Sequence, residues 1–224
     1  MTSFNHWHHN LRRMSRLDLN VSIVTNAAMK TQLAKFRNRT SSQYECCTCV
    51  ENLSFFLAGA ASNYFEQKEI DIISPLGVKQ CQVIDETVIL VPILRAGLSM
   101  LSGFQRVIQN YEVGFVWAHR DITGKSHIEN AKFPSNMKGA TVIILDTMLA
   151  TGGTVNACVD LLNGESVRRI WVASIISTQF GIKCLSPQIE RLFTVDTSDG
   201  LDEQLYVFPG VGDSGDRLFG KNKK

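Results

Sequence analysis

The segment spanning residues 141–162 constrains the fold more than any other part of the chain, because it joins an apolar run to a polar turn and a helix. Val142 to Leu145 are continuously apolar, which is typical of a parallel strand covered on both faces. Asp146 follows at the predicted end of this strand, where parallel sheets bind their ligands. The segment therefore predicts a ligand site at one edge of a parallel sheet.

The turn that follows the strand has the composition of a phosphate site. Residues 151–154, Thr-Gly-Gly-Thr, permit a tight turn with accessible backbone N–H groups, and the positive end of the next helix faces that turn. A Walker loop is excluded because no lysine lies between Gly139 and Asn163. A dinucleotide fingerprint fits poorly, since it needs three spaced glycines and the turn has two adjacent ones. We therefore expect the turn to bind a phosphate monoester.

Alternating strand-like and helix-like segments from Thr87 onward predict a parallel sheet with helices on both faces. Before them, residues 21–36 and 43–66 have helical spacing of apolar residues, and residues 70–84 read as two strands around a turn. The polar segment from Arg120 to Gly139 is long for a connection, so we expect a mobile loop that covers a site.

Two arginines follow predicted strands at the same edge of the sheet. Arg95 comes after an apolar strand and before Ala96-Gly97, and Arg120 ends the next apolar segment. Guanidinium groups bind phosphate oxygens in a bidentate manner, so the pair suits a diphosphate. The glycine-rich segment 200–220 allows backbone to approach a flat ligand closely, which fits a nucleobase.

Composition limits the other classes of function. The net charge of +2 gives no footprint for nucleic acid, and no apolar run reaches the length of a membrane span. The first residues lack the apolar core of a secretory signal, so we expect a cytoplasmic protein with its six cysteines reduced. Trp117 and Trp171 lie in apolar segments, and we expect both to pack in the core.

Three segments resemble, in the same order, the motifs of the uracil phosphoribosyltransferases. They are PILRAGL at residues 92–98, LDTMLATGGT at residues 145–154 and YVFPGVGDSGDRLFG at residues 206–220. The resemblance runs from about Thr87 to Gly220. It implies the α/β type I phosphoribosyltransferase fold, a parallel central sheet flanked by helices with a small hood and a β-hairpin. It also implies that uracil and 5-phosphoribosyl 1-diphosphate are joined to give UMP and diphosphate.

The same resemblance implies roles for single residues. Asp146 would hold the ribose hydroxyls, Arg95 and Arg120 would grip the diphosphate, and Asp213 would lie beside Mg²⁺ that the diphosphate mainly holds. The implied catalytic residues are Asp146, Arg95 and Asp213. Uracil would be bound by Val207, Gly212, Asp213 and Ser214. The sugar diphosphate would be bound by Arg95, Arg120, Asp146, Thr147, Met148, Leu149, Ala150, Thr151, Gly152, Gly153, Thr154 and Asp213.

Two alternatives remain open at this point: a paralogue that binds nucleotide without catalysis, and a transferase for another base. The first is favoured by Thr147, which stands where the family usually has proline, and by residues 121–135, where His127, Glu129 and Phe133 replace a tyrosine-containing pattern. The sequence also leaves open whether GTP is an effector, as it is for some relatives.

The predicted organisation is a disordered terminus over residues 1–20 and one phosphoribosyltransferase domain over 21–224. Within that domain, residues 21–86 form a helical part and the hairpin, 87–200 the core, and 201–220 the uracil-side hood segment. Because the hairpin and the apolar content suit an interface, we expect a homodimer or a higher homo-oligomer.

Overall fold

The computed structural model describes residues 19–121 and 126–221. The predicted terminus, apart from residues 19 and 20, therefore lies outside the described residues, as do residues 122–125. In chain order the elements are β1 (Asn20–Ile23), α1 (Ala27–Arg37), α2 (Gln43–Ser62), β2 (Gln67–Ser74), β3 (Gly77–Ile84), β4 (Val88–Leu94), α3 (Leu98–Gln105), β5 (Tyr111–Val113), β6 (Phe115–Arg120), β7 (Ser126–Lys132), β8 (Thr141–Leu149), α4 (Gly153–Leu161), β9 (Arg169–Thr178), α5 (Gln179–Cys184), β10 (Ile189–Ser198), β11 (Gly200–Leu201), β12 (Val207–Phe208) and α6 (Ser214–Phe219).

A mostly parallel sheet forms the centre of the molecule. Its strand order is β1-β10-β9-β8-β4-β6-β7, and β5 also pairs with β4. In this order, each strand from β1 across to β6 pairs in parallel with its neighbour, and β5 pairs in parallel with β4. At the edge, β7 runs antiparallel to β6. The predicted parallel sheet is thus confirmed, with one antiparallel edge strand added.

Both faces of the sheet are buried, which explains the continuous apolar runs of its central strands. Along β8, Ile143 and Leu145 face a cluster that includes side chains of α1, α2 and α3. Val142 and Ile144 face the opposite cluster, which includes side chains of α4. The predicted arrangement of helices on both faces is therefore confirmed.

The start of the helical part was predicted wrongly. Residues 20–23 form β1, which pairs with β10, and the first helix begins only after Asn26. The Asn26 side chain accepts a hydrogen bond from the Met29 backbone N–H at 2.9 Å, and this cap fixes the helix start. The second helix ends at Ser62 rather than at residue 66.

The predicted hairpin is confirmed as β2 and β3, which pair from Gln67–Ile84 to Ser74–Gly77. Gly77 has a φ of 143°, which explains glycine at the end of this tight turn. The tip carries apolar side chains in contact with solvent: Ile73 is 86% exposed, Val78 is 69% exposed, and Leu76 is fully exposed.

The segment from Arg120 to Gly139 is not the long loop that its polarity predicts. It contains β7, which folds back against β6, and Ile128 and Ala131 of β7 pack against the second core cluster. The polar residues on the open face of this strand make its sequence resemble that of a loop, so the strand was not predicted. The position of residues 122–125 lies outside the described residues, so the predicted closure of 121–135 stays a prediction.

Strand β8 also continues past Asp146, the residue at which it was expected to leave the sheet. Its pairing with β4 ends at Pro92–Leu145, but its pairing with β9 continues to Leu149–Ser177. Asp146 therefore lies just past the point where β8 and β4 stop pairing, and the sheet opens on that side.

Candidate active site

A cavity of about 710 Å³ opens at the carboxyl ends of β4, β6 and β8. Three groups of residues surround it: residues 93–96 at the end of β4 and just after it, residues 117–119 of β6, and residues 146–148, 150 and 154 at and beyond the end of β8. Residues 149 and 151–153 are not among the lining residues. The hood, residues 201–220, faces them and contributes Tyr206, Val207 and residues 212–215. The three segments singled out in the sequence thus meet around one cavity.

The end of β8 supplies both the carboxylate and the turn. Asp146 is partly exposed and lines the cavity together with Thr147, Met148, Ala150 and Thr154. Its Oδ1 lies 3.5 Å from the Met148 backbone nitrogen. Asp146 therefore lies at the cavity wall and is not enclosed in the apolar interior.

One predicted contact residue in this stretch, Leu149, faces away from the cavity with its side chain. Leu149 is buried in the core cluster beside α4, and its backbone N–H donates to Ser174 Oγ at 3.1 Å. Cys158 of α4 lies in the same cluster, where burial, assisted by the Asp146 charge, raises the pKa of its thiol to about 12. Cys158 is thus a neutral packing residue and offers no thiolate nucleophile. The backbone of Leu149 is what remains for a ligand contact.

The predicted phosphate turn leads directly into α4. Gly152 has a left-handed φ of 78°, and a Cβ there would lie 3.1 Å from the Gly181 carbonyl oxygen, so the position suits glycine twice over. Gly153 is exposed, and the Thr154 hydroxyl shares a 2.7 Å hydrogen bond with Ser126 Oγ of β7. The turn therefore presents small residues and a helix amino terminus beside Asp146, a combination that suits a phosphate group.

Arg95 lines the cavity, but its guanidinium is engaged with the hood. It donates to Asp216 Oδ1 at 2.7 Å and to the Gly220 carbonyl oxygen at 3.0 Å. Arg95 therefore links the end of β4 to α6. Arg120 ends β6, and its backbone pairs with Ser126, but its side chain lies outside what the structure describes.

The hood places the predicted base-side residues on the opposite wall. Val207 and Ser214 are buried, and Gly212 has a φ of 72°. Asp213 caps α6 by accepting the Asp216 backbone N–H at 2.8 Å, and its other carboxylate oxygen accepts the Tyr206 hydroxyl at 3.2 Å. The carboxylate of Asp213 thus reaches the cavity from a fixed position.

Residues that the sequence did not single out as site residues also reach the cavity. Trp117, predicted to be in the core, is 51% exposed and lines the cavity wall, whereas Trp171 is buried as predicted. His119 lines the cavity as well and pairs with Glu129 at 2.8 Å, while its ring stacks on His127. Proximity to Arg120 at a strand end was the available signal for His119.

The mostly parallel sheet with its flanking helices, the hood and the carboxylate-plus-turn at the strand ends define a phosphoribosyltransferase of the type I fold. The particular family follows from comparison with known sequences. The family model for uracil phosphoribosyltransferase matches residues 23–221, so the chain belongs to the uracil phosphoribosyltransferase family and thereby to the pentosyl-transferring glycosyltransferases.

Individual relatives agree with this assignment. The chain is 31% identical over 203 residues to a uracil phosphoribosyltransferase of Campylobacter jejuni subsp. jejuni serotype O:23/36, with 89% of this chain and 98% of the relative covered. It is 30% identical over 205 residues to that of Dictyoglomus turgidum, covering 89% and 99%. Among solved structures, the AQ2163 protein from Aquifex aeolicus is similar, with a TM-score of 0.84, 30% identity and coverage of 89% and 98%.

Over residues 19–121 and 126–221, no helix is both long and apolar enough to cross a membrane. In the same part of the chain, no three or more His, Cys, Asp or Glu side chains are grouped to hold a metal ion.

Proposed function

We propose that the protein transfers the phosphoribosyl group from 5-phosphoribosyl 1-diphosphate to uracil, producing UMP and diphosphate for pyrimidine salvage. One observation carries the proposal: a single cavity has Asp146 on one side, together with Ala150 and Thr154 at the two ends of the phosphate turn, and hood residues 207 and 212–214 on the other. A nucleoside monophosphate needs these two halves together, since its phosphate and its base lie at opposite ends of the ribose.

The residues fit the chemistry of the transfer. The bond from ribose C1′ to the diphosphate oxygen breaks, the bond from C1′ to uracil N1 forms, and the N1 proton is released. Positive charge develops on the ribose, so stabilising the departing diphosphate and aligning uracil are the main tasks of the site. Asp146 holds the ribose hydroxyls, residues 150–154 the 5′-phosphate, and Val207, Gly212 and Ser214 the base. Arg95 and Arg120 grip the diphosphate.

A magnesium ion fits this arrangement as a partner of the substrate. Asp213 lines the cavity with a carboxylate whose oxygens each accept one hydrogen bond, which leaves lone pairs for a cation. Mg²⁺ binds proteins through one or two carboxylates and takes its other ligands from phosphates and water. When bound, the ion neutralises charge on the leaving diphosphate.

A second candidate function is nucleotide binding without turnover. The observation that favours it is the engagement of Arg95 by Asp216 and Gly220, because those two donors must leave the hood before they can reach a diphosphate. An arginine held permanently in this way would leave a binding pocket that lacks part of its leaving-group stabilisation.

Incubation with labelled uracil, 5-phosphoribosyl 1-diphosphate and Mg²⁺ separates the two candidates. We expect UMP to form, with cytosine and hypoxanthine giving less than about a hundredth of its rate, because a site built around one base's hydrogen bonds rejects others strongly. UMP absent despite retained binding of the sugar diphosphate would favour the second candidate. A faster reaction with another base would show that the substrate class is wrong.

We also propose that the active form is a homodimer, with the apolar tip of the β2–β3 hairpin packed against a second copy. Ile73, Leu76 and Val78 expose more apolar surface at this tip than a monomer needs.

A further inference from the structure

We propose that Thr147 is a positioning residue, which sets the base side of the cavity against the sugar side by holding the hydroxyl of Ser214. The inference rests on the proposed function, because it assigns Ser214 and its neighbours to uracil. Thr147 is not itself placed against the base. It acts through the hood residue that is.

The observation is a buried hydrogen bond between two hydroxyl groups. Thr147 Oγ1 and Ser214 Oγ lie 2.8 Å apart, although the residues are 67 positions apart in the chain. Thr147 has no exposed surface, and Ser214 is 6% exposed. Two hydroxyls so deeply buried depend on each other for hydrogen bonding, because an unpaired buried hydroxyl costs free energy.

The location of this bond gives it a role in the site. Thr147 follows Asp146 directly on β8, and Ser214 follows Asp213 directly at the first position of α6. The bond therefore joins the residue beside the ribose carboxylate to the residue beside the hood carboxylate. Its length sets how far apart the two halves of the cavity stand.

Other contacts hold α6 from different directions. The Arg217 guanidinium donates to the carbonyl oxygens of Phe36 and, at 2.6 Å, Asn38, which ties the outer side of α6 to the end of α1. Arg95 pairs with Asp216 at the end of β4. With α6 anchored at these points, the Thr147 hydroxyl fixes the rotamer and depth of Ser214 at the cavity wall. Loss of that hydroxyl should misplace the base and leave the phosphate turn unchanged.

The chain contains a matched control. Ser177 Oγ donates to Thr194 Oγ1 at 2.9 Å, and both residues are fully buried between β9 and β10. Thr194→Val removes the same kind of hydroxyl pair, together with the 3.0 Å hydrogen bond from Thr194 Oγ1 to the Asp196 carbonyl oxygen, and neither member of the pair lines the cavity. Comparison with Thr147→Val therefore separates a general loss of stability from misplacement of the base.

The test measures UMP formation and ligand binding for four variants: Thr147→Val, Thr147→Ser, Ser214→Ala and Thr194→Val. For Thr147→Val we expect the KM for uracil to rise about tenfold, while the KM for the sugar diphosphate changes less than twofold. Thr147→Ser keeps a hydroxyl and should restore most of the affinity. Thr194→Val should leave both KM values within twofold.

Adding Thr147→Val to Ser214→Ala should cause no further change, because the partner through which Thr147 acts is already missing. A further tenfold loss in that background, or an unchanged uracil KM in Thr147→Val, would overturn the inference.

Binding separates this inference from the proposed function. Calorimetry should show Thr147→Val binding UMP about tenfold more weakly and ribose 5-phosphate less than twofold more weakly. If the wild-type protein formed no UMP, but Thr147→Val still weakened the binding of UMP far more than that of ribose 5-phosphate, the proposed reaction would be wrong and the positioning role would stand. Equal losses for both ligands would refute the positioning role even in an active enzyme.

Discussion

Asp146 has the position that a ribose-binding carboxylate needs. It lies on the strand where pairing with β4 has ended and pairing with β9 continues, so the backbone is rigid while the side chain faces an opening. The phosphate turn begins five residues later, just after the end of β8, a separation that suits the distance between a sugar and its 5′-phosphate.

Asp146→Asn should lower kcat/KM for UMP formation by about a hundredfold, since it removes a charged hydrogen-bond acceptor worth about 1.5–3 kcal/mol. The shape of the side chain is kept, so the thermal unfolding temperature should stay within about 2 °C. Steady-state kinetics and thermal denaturation check the two expectations. Unchanged turnover would exclude the ribose role, and a large drop in unfolding temperature would point to a structural one.

Arg95 provides the second test at the level of single residues. If it exchanges its hood partners for the diphosphate, Arg95→Gln should raise the KM for the sugar diphosphate by about ten- to a hundredfold. Asp216→Asn weakens the competing ion pair, so that KM should stay the same or fall. If both variants instead raised the KM for uracil alone, Arg95 would serve only to hold the hood.

The site residues differ in how far the sequence could identify them. Asp146 and the turn lie in one short sequence motif, and the hood residues lie in another. The structure brings the two motifs to one cavity. Trp117 was misplaced because an apolar strand with one open face can have the same local pattern as a strand buried on both faces. The bond between Thr147 and Ser214 joins residues distant in sequence, and no local pattern could predict it.

At the level of elements, the turn between β4 and α3 packs closely against the backbone of β8 near the site. Gly97 precedes α3, and a Cβ there would lie 2.2 Å from the Leu145 carbonyl oxygen and 2.7 Å from that of Ile93. Gly59 in the last turn of α2 has nothing within 4 Å of the same added atom. A side chain at position 97 would therefore clash with backbone, whereas one at position 59 would have open space.

Gly97→Ala should lower the free energy of unfolding by at least about 2 kcal/mol, because the added methyl must displace backbone. Gly59→Ala should raise it by about 0.5–1 kcal/mol, since alanine loses less conformational entropy in a helix. Urea denaturation measures both. A Gly97→Ala protein as stable as the wild type would mean that α3 can move away from β8 without cost.

The elements that the sequence missed have weak local signals for physical reasons. Strand β1 has four residues with one partner, β10, and its stability comes from that distant strand. Strand β7 carries polar residues because one of its faces is open, so it resembles a loop. By contrast, strands buried on both faces have unbroken apolar runs, and the predictions for β4, β8 and β9 are confirmed.

For the whole molecule, the order of strands in the sheet could not be read from the sequence, because pairing depends on tertiary contacts rather than on local pattern. The hairpin could be predicted from the sequence, since proline and glycine mark its turn. Its exposed apolar tip is the surface through which we expect two copies of the chain to associate.

The double variant Ile73→Lys/Leu76→Lys should convert a dimer into a monomer, because two buried charges cannot be accommodated in an apolar contact. Gln80→Lys on the same hairpin is the control, since this residue is already polar and exposed. Sedimentation equilibrium should give about twice 25.0 kDa for the wild type and the control, and 25.0 kDa for the double variant. A wild-type mass of 25.0 kDa would refute the dimer, and a dimeric double variant would refute the hairpin contact.

The most direct test of the central claim is a crystal structure of the protein with UMP and diphosphate. We expect the 5′-phosphate within hydrogen-bonding distance of the backbone of residues 151–154, the ribose hydroxyls on Asp146, and the uracil ring against residues 212–214. UMP bound outside this cavity, or bound there with its phosphate at the hood and its base at the turn, would contradict the account.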